Sequence, residues 1–147
     1  MASVPMIEKQ EYYHGAAILR LLSDERTCTV RPAGAGFIVN GYIYILIKYA
    51  TKTISPWRFT FSLSELRSVE EYLRRGDVIL ALVCGGDGIC AIQWSVASQV
   101  LGDVPSWMSC QRGFNKRYVV SGPLGEIARR IPHGQWPSVV FGHQGVE

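Results

Sequence analysis

The chain has 147 residues, of which 48% are hydrophobic and 18% charged, and its formal net charge at neutral pH is +3. This composition can bury enough apolar surface to offset chain entropy, which excludes a disordered protein. The small positive charge excludes a strongly basic domain dedicated to nucleic acid. We expect one globular domain over residues 1–147, with fraying of the first few residues and of about the last six.

The N-terminus and the cysteines indicate a cytoplasmic protein. No stretch reaches the roughly 18–20 apolar residues of a membrane-spanning helix, and Met1–Gln10 has no apolar run followed by a small-residue cleavage site. The four cysteines are irregularly spaced and form no CxxC motif. We therefore expect no metal site, no cofactor and no membrane partner, and we interpret Cys84 and Cys90 as small core residues.

The first half of the chain begins with a helix over Glu8–Leu22, because apolar residues recur there at helical spacing. Four strands follow, and Asn40–Gly41 predicts a hairpin turn between the second and the third. One run, Tyr42–Tyr49, is apolar on both faces and is therefore predicted to be a central strand. In another, Trp57–Phe61, alternation places Arg58 away from the core. The predicted strands are Thr27–Arg31, Phe37–Val39, Tyr42–Tyr49 and Trp57–Phe61.

The second half begins with a helix that Ser62 or Ser64 caps and that Gly76 ends. A second wholly apolar run follows, and the sequence Gly-Gly-Asp-Gly after it predicts a hairpin turn rather than a phosphate-binding loop. The predicted strands are Val78–Cys84, Ile89–Trp94, Trp107–Arg112, Arg117–Ser121 and, as a short extended segment, Trp136–Phe141. The predicted helices are Val96–Leu101 and Leu124–Ile131.

Strands grouped in runs between helices predict an α+β or α/β fold, with a mixed central β-sheet flanked by about four helices. The order of elements over Glu8–Leu101, with Lys48 near the end of a central strand, resembles the core of the restriction-endonuclease-like, PD-(D/E)xK nuclease superfamily. In that family a helix precedes a three-stranded meander, and a second helix crosses to a further strand. The tail of this region, Val78–Leu101, is similar to the strand, turn, strand and helix of the family.

The resemblance does not extend to the metal-binding motif. The family binds Mg²⁺ through an Asp of the second strand and an acid two residues before the Lys, where this chain has Leu46. The segment Phe37–Ile45 contains no acid, and Asn40 is its nearest polar side chain, whereas Mg²⁺ requires carboxylate oxygens. Glu11 loosely matches a helical acid of some members. The resemblance therefore implies a nuclease-like scaffold without nuclease chemistry, and no catalytic residue.

Cationic side chains near one strand end are the candidates for binding. Lys48, Lys52 and Arg58 lie within eleven residues and are expected to contact phosphates of a nucleic-acid backbone. For Lys48 the alternative is a lysine that extends past the core to solvent. Two further groups, Arg112 with Lys116 and Arg117, and Arg129 with Arg130, would add to a binding patch only if they converge on one face. The candidate binding residues are Lys48, Lys52, Arg58, Asp87, Asn40 and Glu11.

Two functions from different classes follow from these features. The first is a non-catalytic nuclease-like domain that binds nucleic acid weakly in a DNA-processing or defence system. The alternative is a protein-interaction module or homodimer. It rests on four Trp, seven Tyr and five Phe, more aromatic residues than a small core must bury. Acyl-transfer chemistry is disfavoured because no family signature surrounds any cysteine.

Overall fold

The computed structural model describes residues 6–102 and 106–142. Within these residues the chain forms three α-helices, nine strands and a short 3₁₀ helix. The helices are α1 (Lys9–Leu22), α2 (Leu63–Leu73), α3 (Trp94–Leu101) and the 3₁₀ helix Ser138–Phe141. The strands are β1 (Val30–Ala33), β2 (Gly36–Val39), β3 (Ile43–Ala50), β4 (Trp57–Phe61), β5 (Val78–Cys84), β6 (Gly88–Gln93), β7 (Ser106–Gln111), β8 (Val119–Gly122) and β9 (Gly125–Glu126).

The first sheet has five strands in the order β1-β2-β3-β5-β6. The strands β1, β2 and β3 form an antiparallel meander, with the predicted turn at Asn40–Gly41 between β2 and β3. The strands β3 and β5 are parallel, in register from Tyr44 opposite Val78 to Ala50 opposite Cys84. Because β6 returns antiparallel to β5, the sheet is mixed, which confirms the predicted α+β class.

The second sheet is antiparallel throughout, in the order β4-β7-β8-β9. The predicted alternation in β4 is confirmed, because Trp57, Phe59 and Phe61 are buried while Arg58 and Thr60 are exposed. The sequence predicts one central sheet, whereas the structure places β4 in a second sheet. The alternating pattern of β4 correctly predicts which side chains are buried, but it does not indicate which strands pair with β4.

Two apolar clusters lie on the two faces of the first sheet, because side chains alternate along a strand. On one face, Ile45 and Ala81 pack with residues of α1 and of the 3₁₀ helix. On the other face, Leu46 and Leu82 pack with α2, α3 and the inner face of the second sheet. The first sheet is therefore the middle layer of the molecule, and β3 and β5 are its central strands, as predicted.

Several elements form as the local sequence predicts. The helix α2 begins with the capping box of Ser62 and Glu65, in which each side chain accepts a hydrogen bond from the other residue's main-chain N–H. The helix α1 begins one residue later than predicted, with Glu8 as its N-cap. The helix α3 begins at Trp94 instead of Val96. The first strand is Val30–Ala33 instead of the predicted Thr27–Arg31. It includes Pro32, which lies in an edge strand where its missing N–H costs no sheet hydrogen bond.

Two predictions near the C-terminus are wrong, and the described residues contain three α-helices instead of about four. Leu124–Ile131 is not a helix: Gly122 pairs with Gly125 in the β8–β9 hairpin, and Ile127 donates its N–H to the Val120 carbonyl. These cross-strand bonds replace the helical ones. Trp136–Phe141 is not extended and ends in the 3₁₀ helix, which packs on the first sheet. The expected fraying concerns residues 1–5 and 143–147, outside the described residues.

None of the helices in the two described ranges is long and apolar enough to cross a membrane.

We expect large-to-small substitutions in the two central strands to destabilise the protein strongly. Ile45→Ala and Leu82→Ala each remove a side chain that is 0% exposed, one from each face of the first sheet. Each should lower the free energy of unfolding by about 2–5 kcal/mol, because a cavity remains. Urea denaturation measures this, with Ile54→Ala, at a position 70% exposed, as the control. Losses no larger than that of the control would contradict the central position of these strands.

Candidate functional site

Lys48 forms an ion pair inside the molecule. Its Nζ lies 2.6 Å from Oε2 of Glu65 in the first turn of α2, and the two side chains are only 20% and 18% exposed. The same Nζ lies 5.5 Å from the ring centroid of Phe61, on the inner face of β4. Burial raises the pKa of Glu65, but hydrogen bonds from Lys48 and Ser62 outweigh it and the net shift is downward. Lys48 therefore joins β3 to α2, and its charge is matched locally.

Asn40 and Glu11 also make hydrogen bonds within the chain. Asn40 has a φ of 54° in the β2–β3 turn, and its Oδ1 accepts from the main-chain N–H groups of Cys28 and Thr29. Its Nδ2 donates to the Arg26 carbonyl. Glu11 accepts the main-chain N–H of Glu8 and so caps α1. The structure thus places these two candidates in the turn and the helix cap that hold the ends of β1 and α1.

Asp87 is the centre of a polar cluster that joins the two sheets. It lies in the β5–β6 turn, and Arg112, after β7, donates to both of its carboxylate oxygens at 2.8 Å and 2.6 Å. Tyr118 donates its hydroxyl to the same carboxylate at 2.9 Å. His133 Nε2 lies 2.7 Å from the Asp87 main-chain oxygen. Hydrogen bonds from Arg112 lower the pKa of Asp87 more than burial raises it, so the carboxylate stays charged.

Arg58 lies on the opposite face of β4 from Lys48, so the three predicted cations do not form one surface. Its guanidinium is 4.3 Å from the ring centroid of Trp107, on the side of the second sheet that faces away from the core. Lys52 lies in the β3–β4 loop, and its carbonyl accepts the indole N–H of Trp57 while its side chain is exposed. Arg58 and Lys52 are accessible to a ligand, whereas Lys48 is held by Glu65.

The structure brings Arg58 near the other two cationic groups. On the outer face of the second sheet, Arg58 is opposite Ser109 of β7, which is opposite Ser121 of β8. The next outward-facing pair along β7 and β8, about 7 Å further, is Gln111 and Val119. This pair lines a shallow depression of about 480 Å³ together with Lys116, Arg117 and Arg130.

We call Arg58, Lys116, Arg117 and Arg130 the cationic surface. All four are exposed, and Arg130 lies 3.7 Å from Glu126. Arg112, by contrast, points under this surface to Asp87. The sequence contained the signal that Arg58 faces away from the core, but the pairing of β4 with β7, which brings the groups together, is not visible in either strand alone.

The three buried cysteines are inert thiols. Cys84, Cys90 and Cys110 are buried between the two sheets, and all four cysteines of the chain are free. A hydrogen bond with Cys110, together with burial, raises the pKa of the Cys84 thiol, and burial raises the pKa of Cys90 and of Cys110. Because the thiolate is the reactive form, these side chains are not poised as nucleophiles at neutral pH.

His14 reaches a backbone edge that sequence reasoning did not single out. The strand β2 pairs with β3 only as far as Ile45, and His14 of α1 lies beside Ile47 beyond that point. His14, Lys48 and Glu65 also line a cavity of about 260 Å³. Burial lowers the pKa of His14, so its imidazole is neutral at physiological pH. It covers part of the open edge of β3.

Comparison of the chain with protein-family models, with curated proteins and with solved structures found no match. In the part of the chain that the structure describes, no group of three or more His, Cys, Asp or Glu side chains is arranged to hold a metal ion. The described residues offer two polar arrangements at the second sheet: the polar cluster around Asp87, which joins the two sheets, and the cationic surface.

We expect Asp87→Asn to lower the free energy of unfolding at pH 7 by about 1–3 kcal/mol, because the half-buried Arg112 loses its charged partner. The pKa of Asp87 is lowered in the folded protein, so its contribution is complete above the unfolded pKa of about 4 and is lost as the pH falls below it. Urea denaturation at pH 7 and pH 3 should show the difference from wild type shrinking at pH 3.

The matched control for this prediction is Asp77→Asn, which removes an exposed carboxylate and should change stability little at either pH. A loss at Asp87 equal to that of the control would show that the ion pair with Arg112 does not stabilise the contact between the sheets.

Proposed function

We propose that this protein is a non-catalytic, nuclease-like domain that binds the phosphate backbone of nucleic acid through the cationic surface. The proposal rests on four cations that come from separate segments of the chain and lie close together. Arg58 comes from β4, Lys116 and Arg117 from the β7–β8 loop, and Arg130 from the segment after β9, yet they lie about one exposed face. Several cations on one face attract a polyanion, whereas scattered cations are only a solvated surface.

The layout of the first sheet supports the nuclease-like part of the proposal. An N-terminal helix precedes the meander β1-β2-β3, and α2 crosses to β5, which is parallel to β3. The position two residues before Lys48, where the family has an acid, is Leu46, which is 0% exposed in the core. In this proposal the scaffold lacks the family's metal-binding acid, and the binding surface lies instead on the outer face of the second sheet.

The expected setting of this function is a DNA-processing or defence system in the cytoplasm. Four free cysteines support a reducing compartment, since three of them are buried together without forming a disulfide. We propose contacts to phosphates and not to bases on the cationic surface, because lysine and arginine side chains on an open face carry no base-edge geometry. Affinity, but little sequence preference, should follow.

Removing three cations from the cationic surface tests the function. The triple variant Arg58→Ala, Lys116→Ala and Arg117→Ala should weaken binding of a labelled oligonucleotide about equally for different sequences. The slope of log affinity against log salt should become shallower by about two to three units, because fewer counterions are released. Fluorescence anisotropy between about 50 and 200 mM salt measures both quantities.

A control with the same change in net charge separates a local surface from general basicity. Arg20→Ala, Arg67→Ala and Arg74→Ala remove three exposed cations from α1, from α2 and from the C-cap of α2. This triple variant should bind like wild type. Equal losses in the two triple variants, or no binding by wild type at about 50 mM salt, would refute the proposed surface.

The second candidate is a homodimer, and the outer face of α1 favours it. Tyr12, Leu19 and Leu22 are 62%, 66% and 58% exposed and lie on one side of the helix, with Gly15 and Ala16 between them. From Tyr12 to Leu22 the helix rises about 15 Å, so this apolar face covers most of its length. A second copy of the chain could cover it by helix-to-helix packing, since the small residues allow close approach.

Under this second candidate, Leu19→Glu should convert a dimer into a monomer, because it places a charge in the centre of the apolar face. Light scattering at several protein concentrations measures the mass, and Ile54→Glu, at another exposed apolar position, is the control. A monomeric mass for wild type at every concentration would contradict the homodimer and leave nucleic-acid binding as the function to test.

A further inference from the structure

The loop between β7 and β8 carries the most exposed large hydrophobic side chain of the described residues. Phe114 is 89% exposed at the apex of a tight turn in which Lys116 donates its main-chain N–H to the Gly113 carbonyl. Asn115 has a φ of 57°, a conformation that asparagine tolerates better than most residues. The turn therefore directs the phenyl ring away from the molecule.

This turn is supported from below by the polar cluster. Arg112 donates through Nη1 to the Lys116 carbonyl at 3.0 Å, while its Nε and Nη2 donate to Asp87. One guanidinium thus joins the end of the loop to the β5–β6 turn of the other sheet. Because the loop is tied at both ends, the turn holds Phe114 at its apex.

The surroundings of Phe114 distinguish it from an isolated surface hydrophobic residue, which would need no explanation. Lys116 and Arg117 follow it after Asn115, are exposed and belong to the cationic surface. Trp107, an aromatic residue on the outer face of the second sheet, has the Arg58 guanidinium over its ring. Phe114 instead offers an aromatic face that the rest of the chain leaves open.

We propose that Phe114 stacks on an unpaired base, so that the ligand of the cationic surface is single-stranded nucleic acid. This inference rests on the proposed function and specifies its substrate class. Proteins that hold single strands combine cations that track the phosphates with aromatic rings on which bases stack, and stacking tolerates any base. Phe114 supplies the ring, and Lys116, Arg117 and Arg58 supply the cations.

The chemistry of the loop favours a single strand over a duplex or a lipid surface. Inside a duplex both faces of each base are stacked on neighbours, so a ring at a loop apex finds no open face. Insertion into a membrane requires a broad apolar face, whereas Phe114 is flanked by Gly113, Asn115 and Lys116. From Ser109, opposite Arg58, to Phe114 the protein chain spans at most about 18 Å. A short single strand of nucleic acid can therefore reach both Arg58 and Phe114.

The experiment compares wild type with Phe114→Ala, Phe114→Trp and the control Leu124→Ala, whose side chain is 66% exposed at the β8–β9 turn. The probes are a labelled single-stranded 20-mer of mixed sequence and the duplex of the same sequence. Phe114→Ala should weaken single-strand binding roughly 5- to 150-fold, the range for losing one stacked base, and change duplex binding little. Its salt slope should equal that of wild type, because no charge is removed.

Phe114→Trp should retain single-strand binding, and its added tryptophan fluorescence should be quenched when the single strand binds. Leu124→Ala should match wild type. Circular dichroism melting of every variant checks the fold, which these exposed substitutions should leave intact.

The outcomes separate this inference from the proposed function. If wild type binds neither probe at about 50 mM salt, the proposed function fails. If wild type binds with a steep salt dependence but Phe114→Ala binds the single strand as well as wild type, the function stands and the stacking inference is wrong. Binding to vesicles of phosphatidylserine and phosphatidylcholine that requires Phe114, without oligonucleotide binding, would overturn both in favour of a membrane ligand.

Discussion

The structure depends on the burial of β3 and β5 on both faces. Ile43–Ile47 of β3 and all of β5 are apolar and buried on both faces, so the sheet that contains them cannot leave either side in water. On one side, α1 and the 3₁₀ helix supply the cover. On the other, α2 and α3 cover only part of the sheet, and the inner face of the second sheet completes the layer with Trp57, Phe59 and Phe61.

This arrangement leaves the second sheet with one face in solvent, where the candidate site lies. Arg112 and Asp87 connect the sheets at the edge of the shared core, and the same guanidinium supports the loop that carries Phe114. The cluster around Asp87 thus has a structural role that determines where the cationic surface and its loop are placed. The cluster contributes to binding only by holding the cationic surface and its loop in place.

The lysine and arginine side chains of this protein have two different roles. Lys48 and Arg112 extend along apolar surface to a carboxylate at 2.6 Å and help to hold elements together. Arg58 and Lys116 are exposed at the second sheet and can meet a ligand. The net charge of +3 sums every Lys, Arg, Asp and Glu of the chain, so it does not show that exposed cations gather on one face.

Local sequence determined the elements whose stability comes from neighbouring residues. The apolar runs predicted β3 and β5, the alternation in Trp57–Phe61 predicted that Arg58 faces outward, and Ser62 with Glu65 predicted the start of α2. Tertiary structure alone decided the second sheet, the Lys48–Glu65 pair and the bond between Asp87 and Arg112, 25 residues apart. Such contacts join segments that are distant in the chain, and periodicity within one segment holds no information about which other segment will pair with it.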